Sequence, residues 1–309
     1  MRDTKRRVSS LLAVVAIIAG CTAAVPTPTL EPTRSFPPSP SPTSSPSPSP
    51  SPTPFACTEQ HGTIVDHSFS SSVAGVRTRY RVYLPPCYMA SGRRFPYVIL
   101  FHGSLDDQTE WTEQLDVDEI LDDGIGDGTL APMIVVMPGG GAIANAHVGS
   151  TAKSYENVIL DELLPRFEKL YATWGTREGR EIGGISRGGF WAFSIALRHP
   201  DLFAAVGGHS PFFHPDNAAP SSNPLDLIED LPVPTIESLR LWVDRGAHDY
   251  AEPGITPFVR TLEDRDIDAT VILYPTGKHE VRYWKSHVRE YLAFYGATWP
   301  KSEADLPLR

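Results

Sequence analysis

The sequence predicts an α/β fold with a mostly parallel central sheet covered by helices on both faces. Three observations predict it. Short apolar runs such as Tyr97–Phe101 and Met133–Met137 carry no polar alternation, as strands buried on both faces require. Stretches with helical periodicity separate these runs. A serine flanked by glycines stands between one strand and one helix, where open α/β sheets place their functional residues.

The strands are predicted in order at Arg79–Leu84, Tyr97–Phe101, Met133–Met137, Glu181–Gly184, Ala204–Gly208, Leu239–Val243 and Thr270–Tyr274. The first alternates in polarity and closes on Pro85-Pro86. Helices are predicted over Val158–Leu170, Ser186–Arg198, 257–265 and 281–295. Strands alternating with helices form βαβ units, which build a parallel sheet.

The folded part is expected at 56–300, with a short tail at 301–309. Residues 1–20 read as an export signal, with Arg2, Lys5, Arg6 and Arg7 before the apolar run Leu11–Ala19. That run is too short for a permanent membrane span. It ends in Ile18-Ala19-Gly20-Cys21, which resembles the lipobox of bacterial lipoproteins. The resemblance implies cleavage before Cys21, a lipid on its thiol, and an extracytoplasmic, membrane-anchored protein. Residues 21–55 hold little beyond the lipidated cysteine except Pro, Ser and Thr, a composition with too little apolar surface to fold. Such a segment forms a semi-rigid extended spacer.

With Cys21 lipidated, Cys57 and Cys87 are the remaining cysteines. In an oxidising compartment they are expected to pair. The full chain carries a net charge of −10. Loss of the basic signal makes it more negative still, which argues against nucleic acid as a partner.

Gly184-Ile185-Ser186-Arg187-Gly188 is a G-x-S-x-G pattern. Alone it is a weak signal. Between a strand and an apolar helix it has the context of a nucleophile elbow, which presents a serine hydroxyl at a helix amino end. At this point the stretch 61–300 resembles the α/β-hydrolase esterase family that includes esterase D, feruloyl esterases, enterochelin esterases and the antigen 85 mycolyltransferases. The matching segments are Val98–Gly103, Gly183–Gly189, His199–Gly207 and Gly277–His279. The resemblance implies an α/β-hydrolase fold and a Ser-His-acid triad.

A serine hydroxyl needs a base within hydrogen-bond reach. His279 stands after the last strand and before the last helix, where the resemblance places the catalytic histidine. His199 reads as a helix end, and His287 as a surface or packing residue. The acid must orient the imidazole. Asp249, in the loop Gly246–Asp249, is favoured, and Asp244 remains the alternative. Two backbone amides are expected to hold the oxyanion: Arg187, after the nucleophile, and Ser104, with Leu105 close behind. His102 is expected to be structural. The Arg187 side chain either meets a carboxylate or sugar or faces solvent. Phe212 and Phe213 either line an acyl or sugar pocket or pack beneath their loop. Trp191 and Phe193 are expected in the core.

These residues predict hydrolysis of an extracellular small-molecule or carbohydrate-linked ester through an acyl-enzyme. An acyltransferase of the mycolyltransferase type and a non-catalytic, surface-tethered binding module are the alternatives. No cofactor or metal is implied, since metal-ligand spacings and dinucleotide fingerprints are lacking in the sequence.

Overall fold

A computed structural model describes residues 57–148 and 153–309. The signal segment 1–20, the lipidation site Cys21 and the linker 21–55 lie outside the described residues.

An eight-stranded sheet runs in the order β1-β2-β4-β3-β5-β6-β7-β8. Its strands are β1 (Thr63–Ser70), β2 (Arg77–Leu84), β3 (Tyr97–Phe101), β4 (Ile134–Pro138), β5 (Arg180–Ile185), β6 (Ala205–His209), β7 (Arg240–Gly246) and β8 (Thr270–Tyr274). β1 and β2 pair antiparallel, β2 joins β4 antiparallel, and every pairing from β4 to β8 is parallel. This is the α/β-hydrolase fold that the sequence predicts.

The apolar runs explain the two cores. Along β3, Tyr97, Ile99 and Phe101 face one side, while Val98 and Leu100 face the other, and all five are buried. On the first side lie the helices Leu164–Leu170, Arg187–Arg198, Pro224–Asp230 and Glu252–Asp264, represented in the core by Phe167, Phe190, Ile228 and Phe258. On the second side lie Val117–Gly126 and Val281–Tyr295, with Leu121, Val288 and Tyr291. Burying a large side chain of this kind stabilises by about 1.5–3 kcal/mol.

Several elements differ from expectation. The run Val158–Leu170 is helical, but Val158–Leu163 takes the wider π form before the α-helix Leu164–Leu170. Pro165 explains this, because its ring clashes with the carbonyl four residues back in a regular helix. The helix expected at 257–265 begins at Glu252 and carries Pro257 inside it. Residues 301–309 are not a free tail: Leu306 is buried, and Arg94 N–H donates to Pro307 O at 2.8 Å. Cys57 and Cys87 form the expected disulfide, which ties the start of the described chain to the end of β2.

Candidate active site

Gly103, Ser186, Ser210, Asp249 and His279 stand just beyond the carboxyl ends of β3, β5, β6, β7 and β8. Ser186 follows β5 and caps the helix Arg187–Arg198 with φ 52° and ψ −119°. A non-glycine residue held there costs about 1–3 kcal/mol and persists only when its surroundings over-determine it. They do so here. Ser186 N–H donates to His209 O at 3.0 Å, and Ser186 O accepts from Phe212 N–H at 2.9 Å. Gly188 is required by close approach, since a Cβ there would stand 2.5 Å from Phe101 O.

Asp249 and His279 are brought together by a contact between two loops. Gly246, at the end of β7, lies so close to Gly277 that a Cβ would stand 2.5 Å from the Gly277 backbone. Gly277 itself has φ 104°. His248 N–H donates to Gly277 O at 2.9 Å, locking the loops.

The result is a continuous hydrogen-bonded chain. His279 Nε2 lies 2.7 Å from Ser186 Oγ, and His279 Nδ1 lies 2.8 Å from Asp249 Oδ1. Burial raises the Asp249 pKa, but hydrogen bonds from His279 and the Ala251 amide oppose it, and the carboxyl is held below its usual range. An ionised carboxylate only accepts, so Nδ1 carries the imidazole proton. Nε2 is then free to accept from Ser186 Oγ–H.

Asp244, the alternative acid, is elsewhere. Wholly buried, it binds His209 Nδ1 at 2.7 Å and accepts from Tyr283 Oη at 2.6 Å, Trp242 Nε1 at 2.8 Å and Tyr291 Oη at 3.1 Å.

Arg187 N–H belongs to the first turn of its helix, where backbone donors lack helical acceptors. Its side chain does neither of the things expected. The guanidinium is buried, donates to Ala144 O at 3.0 Å and Ala146 O at 2.7 Å, and lies 4.3 Å above the Phe190 ring. Burial lowers its pKa to about 10. Arg187 thus fastens the end of the short helix Gly141–Asn145 to the elbow. Ser104 and Leu105 are exposed. His102 is structural, as expected: its Nε2 accepts Gly140 N–H at 2.7 Å.

The two phenylalanines separate. Phe213 is 2% exposed, edge-on to Phe193 at 5.5 Å and 4.6 Å from Phe258, so it packs in the core and does not line a pocket. Phe212 is half-buried and meets Tyr250 edge-on at 6.2 Å. Trp191 and Phe193 are core residues. Sequence reasoning missed Tyr250, which is 65% exposed with its ring 4.2 Å from the His279 ring. Its place directly after Asp249 was the available signal. Among the described residues, the one compact set of metal-type donors is Cys57, Cys87 and Glu303, and its sulfurs are consumed by the disulfide.

A mostly parallel sheet with a strained serine at its elbow, hydrogen-bonded to a histidine that an aspartate holds in turn, defines a serine hydrolase of the α/β-hydrolase class. The chain belongs to the family described as Putative esterase, whose sequence pattern matches residues 71–295. It is 35% identical over 156 residues to an endo-1,4-beta-xylanase/feruloyl esterase of Xylanibacter ruminicola, covering 48% of this chain and 21% of that one. It is 34% identical over 151 residues to esterase Rv1288 of Mycobacterium tuberculosis, covering 47% of this chain and 31% of that one. The chain therefore spans less than a third of the length of these curated relatives. Among solved structures it is similar to a ferulic acid esterase (TM-score 0.69, 24% identity, 77% of this chain and 99% of that one). It is also similar to an S-formylglutathione hydrolase of Staphylococcus aureus (TM-score 0.64, 17% identity, 76% and 99%).

Proposed function

We propose that this protein hydrolyses carboxylic esters through an acyl-enzyme on Ser186. The observation that carries the reading is the unbroken chain Ser186 Oγ, His279, Asp249. Ser186 attacks the ester carbonyl while His279 Nε2 takes its proton. The Arg187 and Ser104 amides receive the oxyanion, and each such donor contributes about 3 kcal/mol to the transition state. His279 returns the proton to the departing alcohol. Water, activated by the same imidazole, then releases the acid.

The substrate we propose is a small or carbohydrate-linked ester outside the cytoplasm. Support comes from the names of the relatives, which include feruloyl esterases, and from the exposed Tyr250 ring against His279, with the half-buried Phe212 edge-on to it. A lipid on Cys21 and the spacer 21–55 would hold the enzyme at the membrane. The test is turnover of phenyl acetate, acetyl-xylan and feruloylated sugars by the full chain in detergent. Hydrolysis of at least one, abolished by Ser186→Ala, is expected. Turnover that survives Ser186→Ala contradicts the reading.

A further inference from the structure

Behind the turn that carries the Ser104 amide stands a carboxyl group that the reaction does not use. Glu110 is 1% exposed, and its Oε2 accepts Gly103 N–H at 2.8 Å. The carbonyl of the same glycine is held from the other side. Gly140 N–H donates to His102 Nε2, which leaves the proton on Nδ1, and Nδ1–H donates to Gly103 O at 2.6 Å. Peptide units are planar and trans. The Gly103 C=O and the Ser104 N–H are therefore opposite edges of one plane. Holding Gly103 at both its N–H and its C=O fixes where the Ser104 N–H points. The turn also lies beside the nucleophile. A Cβ on Gly103 would stand 3.8 Å from both Glu110 carboxyl oxygens and 3.8 Å from Ser186 Cβ.

A charge at this place would work against the reaction. The oxyanion develops beside Ser186, and a buried carboxylate nearby would repel it in a medium of low dielectric. A neutral acid offers the same acceptor to Gly103 without that repulsion. We propose that Glu110 is a positioning residue that acts with its proton on: neutral, it holds the turn presenting the Ser104 amide, and on ionising it weakens catalysis.

The surroundings keep the proton in place. Burial, with the charges of Asp106 and Asp107, pushes Glu110 up to about 8 against the opposing pull of the Gly103 N–H. The charges acting on it are all negative. Asp106 is itself held by Gln114 Nε2 at 2.5 Å. His102, on the β3 side of the turn, faces the same two aspartates, and burial lowers its pKa.

The inference rests on the esterase reading, and one experiment separates the two. kcat and KM for phenyl acetate are measured from about pH 6 to 10 for the full chain and for Glu110→Gln and Glu110→Leu. Wild type loses kcat as pH rises through about 8. Glu110→Gln, neutral and still an acceptor, keeps kcat at pH 7 within about threefold and lacks that decline. Glu110→Leu loses kcat about tenfold or more with little change in KM. Thermal melts of both variants check folding, and if Glu110→Leu does not fold, the glutamine profile alone decides. A glutamine variant that declines over the same pH range as wild type overturns the inference, as does a wild type with no decline or a folded leucine variant of full kcat. A wild type that turns over no ester overturns the esterase reading itself.

Discussion

Asp244 grips Nδ1 of His209 at 2.7 Å, with both side chains wholly buried. Among the described residues two aspartate–histidine pairs are buried, and of these only the Asp249–His279 pair reaches the nucleophile. The first pair supports the second. His209 O receives the Ser186 amide, and Asp244 O receives the Ser210 amide.

Replacing each aspartate separates the two pairs. Asp249→Asn leaves the fold in place and lowers kcat by about 10³–10⁴, since the imidazole loses its orienting partner. Asp244→Ala strands His209, Trp242, Tyr283 and Tyr291 in the core and costs roughly 3–5 kcal/mol of stability. Urea denaturation beside steady-state kinetics checks both.

Stability should respond to pH in opposite senses at two carboxyls. Glu110 rises from 4.5 to about 8 on folding, so its contribution is full below 4.5 and is lost as pH climbs through 8. Asp249 falls below 3.8 on folding, so its contribution is present above 3.8 and is lost as pH drops through its folded value. Urea midpoints of Glu110→Gln should flatten between pH 4.5 and 8 with the acid limb intact. Those of Asp249→Asn should show a weaker acid limb.

How much of this was legible in the sequence differs between elements. β3 and β4 showed themselves because strands buried on both faces are apolar throughout, and β8, though an exposed edge strand, showed itself by the β-branched and aromatic residues of Thr270–Tyr274. β1 did not, since Thr63–Ser70 is an edge strand with only Phe69 buried and polar residues on both faces. Pro253, Gly254 and Pro257 hid the first turns of the helix Glu252–Asp264. Ser186 and His279 were legible because each sits in a local signature after a strand. The loop Gly246–Asp249 favoured Asp249 over Asp244, while the Gly246–Gly277 contact that brings it to His279 is a tertiary fact that local pattern does not contain. Glu110 and the buried Arg187 were beyond reach, because burial of a charged side chain is decided by distant partners such as Gly103 and Ala144.

Tyr250→Ala removes the exposed ring beside His279. For feruloyl esters kcat/KM should fall about fivefold to tenfold, in line with loss of one aromatic contact, while acetyl esters change less than twofold. Competition between the two substrates in one reaction reads the difference directly.

Reduction tests the staple at the amino end of the described chain. Cys57 and Cys87 are separated by 30 residues. Opening that loop should cost about 3–4 kcal/mol of stability in the chain-entropy account. Denaturation of Cys57→Ser/Cys87→Ser beside wild type measures it, and activity at low temperature should persist.

The most direct measurement is the mass of the full chain after treatment with a fluorophosphonate, followed by peptide mapping. One adduct on the peptide containing Ser186, absent in Ser186→Ala and strongly slowed in His279→Ala, is the expected result. An unmodified Ser186, or an adduct on another residue while ester hydrolysis continues, would contradict the account.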